Sequence, residues 1–153
     1  MMIIKNKGFT LIELIVVIAI IAVLSGVILF SITQYINRGK DSNISGNLAI
    51  LIPAGEVFYG GNGNSYNDGS ADFCEPEDNS VLKNIIAQMP KNPSEDCLDG
   101  ICCNSTGQAW VACAREFTDP DKAFCVDSRG MKKEIDNGQC AKDISVNGVP
   151  QCP

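Results

Sequence analysis

The sequence contains no histidine. That removes Ser-His-Asp and Cys-His catalytic sets and every histidine–metal site. It has no C-x-x-C pair either, so a zinc site has neither of its usual signatures. Charged residues are few, at 20%, and 18 acidic against 12 basic side chains leave a net charge of -6. An acidic chain of this kind is disfavoured as a general nucleic-acid binder. There are no internal repeats and no low-complexity tail. With no catalytic constellation, the chain does not read as an enzyme. Its 153 residues suit one ordinary domain, and 45% hydrophobic content sets it apart from disordered and multi-span membrane chains.

What is present is unevenly placed. Lys5, Lys7 and Glu13 are the charged side chains before Arg38, and an apolar run extends over residues 11–32. As a helix that run covers about 33 Å, the thickness of a bilayer core. It is apolar on all sides, so it should be buried in lipid or among other helices. Lys5 and Lys7 ahead of it favour a cytoplasmic N-terminus, a signal weakened by Arg38 and Lys40 behind it. The remainder is polar and holds all eight cysteines: Cys74, Cys97, Cys102, Cys103, Cys113, Cys125, Cys140 and Cys152. Disulfides persist outside the cytosol, so an apolar segment before a cysteine-rich body reads as an exported domain.

Glu13 does not fit a plain anchor. A carboxylate at the centre of a bilayer costs about 3 kcal/mol on insertion scales and calls for a cationic partner or a place near the headgroups. Residues 5–14 read Lys-Asn-Lys-Gly-Phe-Thr-Leu-Ile-Glu-Leu. This stretch resembles the N-terminus of type IV prepilins and the related pseudopilins of type II secretion. The resemblance implies cleavage between Gly8 and Phe9 by a membrane aspartyl prepilin peptidase, N-methylation of Phe9, and pairing of Glu13 with the terminal amine of a neighbouring subunit. Cleavage there would leave the apolar segment in place, unlike removal of an ordinary signal peptide. A conventional cut near Val23-Leu24-Ser25 is the competing reading. The local match covers about 25 residues, comparable to one membrane span. Many family members carry a proline in mid-helix; Phe30 stands there, and Gly26 is the nearest weak spot.

Helical periodicity continues through Ile44, Leu48, Leu51, Ile52, Phe58 and Tyr59, the stripe of a helix packed on a sheet. Gly39 and Asp41-Ser42-Asn43 are expected to loosen this helix, Pro53 to kink it, and Gly60-Gly61 to end it. Residues 60–80 read as a surface loop, and 81–89 as a short helix stopped by Pro90 and Pro93. Strands are expected over 108–114, 123–127 and 131–135, the last two joined by a Ser128-Arg129-Gly130 turn.

Connectivity of eight cysteines cannot be settled from spacing. A hairpin around Asp119 would set Cys113 opposite Cys125, suggesting a cross-strand bridge. Adjacent Cys102 and Cys103 should take different partners. By resemblance to many pilins, Cys140 and Cys152 would close a C-terminal loop. Asn64, Asp68, Asp72 and Glu75 stand at calcium-loop offsets, but Tyr66 occupies a ligand position, so calcium is a weak expectation beside a solvated acidic loop. Otherwise no cofactor or metal is implied. Asn43-Ile44-Ser45 and Asn104-Ser105-Thr106 match glycosylation triplets, a pattern frequent by chance. Arg129, Lys132 and Lys133 form a small basic cluster of the sort a DNA-uptake pilin would use, set against the acidic total.

The expected fold is α+β: a long N-terminal helix, half transmembrane and half amphipathic, packed on a small antiparallel β-sheet in a disulfide-stapled, pilin-like head. The expected divisions are a leader at 1–8, a membrane or filament-core helix at 9–37, and a head at 38–153. The resemblance implies a filament subunit, with a pseudopilin or minor pilin as variants. Its partners would be copies of itself or related pilins, the prepilin peptidase, the inner-membrane assembly machinery, and lipid before assembly. It would lie in the inner membrane and then in a surface filament, or in the periplasm as a pseudopilin. From a different class, a membrane-anchored, disulfide-rich binding module that never polymerises would fit the same composition.

Overall fold

A computed structural model describes residues 8–91, 97 and 99–153. Lys5, Lys7 and Pro93 lie outside the described residues. The chain divides into two compact units, one ending at Ile36 and the other comprising Asn37–Pro153. Helix α1 is Leu11–Gly61, α2 is Ser80–Gln88, and the strands are β1 Ile101–Ser105, β2 Trp110–Arg115, β3 Lys122–Asp127 and β4 Lys132–Asp136. The fold is α+β and pilin-like: a long N-terminal apolar helix, a small antiparallel sheet and four disulfides.

In the first unit the helix is apolar and exposed along its described length, with Leu14, Ile18, Ile21 and Ile28 all open. It is the one described helix long and apolar enough to cross a membrane. Gly26 lies inside it without interruption.

In the second unit, α1 buries Ile44, Leu48 and Leu51 at helical spacing. Two expectations about this stretch are corrected. Residues 39–43 are helical throughout, because buried Asp41 is tied into the head. The segment expected as a surface loop carries Tyr66, Phe73 and Cys74 into the core. Apolar burial overrides a Gly- and Asn-rich composition there. Pro53 sits within α1, and the helix does end at Gly61.

The four strands form a meander in the order β1-β2-β3-β4, every pair antiparallel. β1 was not expected; its Ile-Cys-Cys-Asn-Ser sequence lacks an apolar/polar alternation. Pleating separates the sheet into two cores. On the front face Ile101, Trp110, Ala112, Ala114 and Val126 join the α1 residues. On the rear face Cys102, Val111, Cys113, Ala123, Cys125 and Ile135 meet Ile144 and Cys152 of the C-terminal segment.

The register explains the disulfides. Cys102 faces Cys113 and Cys113 faces Cys125, so three cysteines line up across the rear of the sheet. Each bonds outward to a cysteine from a non-strand segment: Cys97–Cys102, Cys113–Cys140 and Cys125–Cys152. Cys74–Cys103 staples the front. The expected Cys113–Cys125 bridge and Cys140–Cys152 loop are therefore corrected. Cys113 and Cys125 are strand neighbours as expected, but the C-terminal segment lies over that face and supplies their partners. Cys102 and Cys103 do take different partners, since adjacent strand residues point to opposite faces.

Candidate functional site: the N-terminal motif

Thr10 precedes the first helical residue, Leu11, and Glu13 is the third residue of the helix. This is the Thr-x-x-Glu capping box, in which side chains satisfy backbone donors that the first turn leaves open. The Thr10 N–H donates to Glu13 Oε2 at 2.8 Å, and the Thr10 hydroxyl donates to the same oxygen at 2.7 Å. In return the Glu13 N–H donates to Thr10 Oγ1 at 3.4 Å. The Leu14 N–H meets the Thr10 carbonyl at 3.3 Å and opens the helical ladder. Glu13 thus has a local role beyond the implied one in assembly, and the Thr-x-x-Glu spacing of three residues carries its signal.

The capping bonds engage Oε2, and Glu13 is the acidic residue of the first turn, where the helix dipole favours negative charge. Phe9 is 82% exposed. A Cβ added at Gly8 would meet nothing within 4 Å among the described residues.

The remaining site candidates lie elsewhere. Asp68 Oδ1 accepts the N–H groups of Ser70 and Ala71, which hold its carboxyl below the usual range. Asp72 accepts from Cys74, Ser105 and Asn67. Asn64 adopts φ 63°, and the Asp78 N–H reaches the Glu75 carbonyl at 3.1 Å. The carboxylates of Asp68 and Asp72 thus organise their own loop. Among the described residues, the group of metal-type ligand atoms closest together is Cys102, Cys113 and Cys140, all of them half-cystines. In the basic cluster, Arg129 turns back on Asp127 at 2.6 Å, while Lys132 and Lys133 lie on β4.

Comparison with known proteins places the motif. Residues 3–29 match the family described as the prokaryotic N-terminal methylation motif. A type IV major pilin of Myxococcus xanthus is 38% identical over 55 residues, 36% of this chain and 25% of that protein. A type IV major alpha-pilin of Moraxella bovis is 49% identical over 44 residues, 29% of this chain and 28% of that protein. The chain thus matches about a quarter of the length of these curated relatives. No solved structure matches. The N-terminal segment is similar to a methylation motif and to the corresponding stretches of two type IV major pilins.

Proposed function

We propose that this chain is a structural subunit of a type IV pilus-like filament. A prepilin peptidase cuts it between Gly8 and Phe9, Phe9 is N-methylated, and the apolar helix then packs against helices of other copies. The observation that carries this reading is Glu13 itself, a capped carboxylate at the start of the apolar, exposed first part of α1. In lipid or a helical core such a carboxylate is stable only with a cation, and the amine created at Phe9 is the nearest one by sequence.

Before assembly the helix anchors the chain in the inner membrane with its disulfide-bonded head outside. After assembly the heads cover the fibre. Lipid, the peptidase, the assembly machinery and related pilins are its partners on this reading. The matched relatives are named as major pilins, which favours a surface pilus over a pseudopilin of the periplasm. The test is fractionation of cells producing the chain, with and without Glu13→Ala. Recovery in sheared surface fibre, lost in the variant, supports the reading. Fibre yield indifferent to Glu13 would overturn the assembly role, and secretion defects without fibre would point to the pseudopilin.

A further inference from the structure

We propose that the Cys97–Cys102 and Cys113–Cys140 bridges form a thiol-exchange pair: reduction of Cys97–Cys102 passes to Cys140 and frees the Cys140 end of the C-terminal segment from the sheet. The sulfur atoms of Cys102, Cys113 and Cys140 all lie within 4.8 Å of one another. Cys102 Sγ is also 3.7 Å from the Cys140 carbonyl oxygen. Cys102 and Cys113 are direct partners across β1 and β2. Antiparallel partners have Cα atoms about 4.5–5.5 Å apart, inside the range of about 4.4–6.8 Å that a disulfide spans. A Cys102–Cys113 bridge therefore needs side-chain rotation and no movement of the sheet.

Cys97 and Cys140 are the half-buried ends of the two bridges, and Cys102 and Cys113 their buried ends. With Cys102, Cys97 lines a cleft of about 340 Å³ shared with the Cys74–Cys103 bridge, Asp72, Glu75 and Lys142. Cys113 is fully buried beneath the sheet's rear face. On this proposal a small dithiol enters that cleft and reduces the Cys97–Cys102 bond, in preference to the Cys74–Cys103 bond on the same cleft. It gives up two electrons and two protons, is oxidised to its disulfide, and leaves Cys97 and Cys102 as thiols. Cys102 then loses its proton to solvent, and its thiolate attacks Cys113 Sγ. The Cys102–Cys113 bond forms, the Cys113–Cys140 bond breaks, and Cys140 departs as a thiolate that takes up a proton. This second step is an isomerisation with no net change in oxidation state. Attack at Cys140 instead would expel Cys113, whose apolar burial makes it the poorer leaving thiolate. Cys125–Cys152 is untouched and keeps the far end of the segment attached.

The test uses the full oxidised chain in detergent, exposed to limiting dithiothreitol at about pH 8, where thiolate exchange is efficient. The reaction is stopped with acid, free thiols are capped with N-ethylmaleimide, and the bridges are mapped by mass spectrometry without further reduction. The expected product carries caps on Cys97 and Cys140 and a Cys102–Cys113 link in the majority of singly reduced molecules. Caps confined to Cys97 and Cys102, with Cys113–Cys140 intact, would overturn the proposal, as would first reduction at another bridge. Cys97→Ser gives a second reading of the same point: its single thiol is expected at Cys140 and would contradict the exchange if it stayed at Cys102.

Discussion

A Cβ placed on Gly55 would lie 2.5 Å from the indole Nε1 of Trp110. The backbone of α1 is therefore one wall of the pocket for the largest fully buried side chain of the head. Phe73 forms another wall, its ring centroid 4.7 Å from that of Trp110. Glycine inside a helix costs about 1 kcal/mol relative to alanine, so close packing explains its presence better than local preference does.

Gly55→Ala should accordingly lower stability despite its better helix propensity. Overpacking of this kind costs about 1–3 kcal/mol. Chemical denaturation checks the value, and a double variant with Trp110→Phe should recover part of it, because the two changes meet at one contact. Additive losses would place the effect elsewhere.

Asp41 joins α1 to the β2–β3 loop. Its carboxylate accepts the N–H of Phe117 at 2.6 Å, the N–H of Thr118 at 3.1 Å, and the Thr118 hydroxyl. Lys40 stands 4.3 Å from the Phe117 ring centroid on the same loop. Hydrogen bonds to a charged group are worth about 1.5–3 kcal/mol. Asp41→Ala should lose at least that much and speed amide exchange at Phe117 and Thr118. Unchanged exchange there would mean the loop is held by other contacts.

Much of this was legible where the information is local. The Gly-Phe-Thr-Leu-Ile-Glu stretch, the helix end at Gly60-Gly61 and the turn before β4 all announce themselves within a few residues. The Ser128-Arg129-Gly130 turn is real, with Gly130 at φ 77° and its N–H on the Asp127 carbonyl. Helix α2 was also visible, though its buried cap Asn79, which accepts from Val81 and Leu82, was not singled out. The failures are long-range. Asp41 looked like a loosening residue because its donors come 76 and 77 positions later. Cys113 and Cys125 looked like a pair because their register was readable, while the C-terminal segment lying across them was not. Tyr66 and Phe73 stand among turn formers, so local composition does not reveal their burial.

Asp127 makes stability pH-dependent. It is fully buried beside Arg129 and accepts the N–H groups of Arg129, Met131 and Cys152. Burial alone would raise its pKa, but the guanidinium and the backbone donors outweigh it and hold the carboxyl below its ordinary 3.8. Folding thus favours the ionised form. The stabilisation is complete above the unfolded value, about pH 4, and is lost as pH falls through the lower folded value. Denaturation midpoints measured down to about pH 2 should drop across that interval and flatten in Asp127→Asn. An equal drop in the variant would assign the acid sensitivity to other carboxylates.

The Cys125–Cys152 bridge pins the end of the chain to β3. Replacing both cysteines with serine should cost about 2–5 kcal/mol and expose the C-terminal segment to proteolysis. Cleavage confined to residues beyond Gln139, with the sheet surviving, is the expected pattern. Global unfolding at the first cut would show that the rear core cannot stand without the bridge.

The central claim is that an enzyme remakes this N-terminus and that the new terminus assembles. Intact mass and N-terminal sequencing of sheared surface material, without reduction, test it most directly. The account predicts a chain beginning at N-methylated Phe9, with eight hydrogens missing for the four disulfides. A chain beginning at Met1 or Gly26, absent from the sheared fraction, would contradict it and leave an anchored or secreted module that does not polymerise.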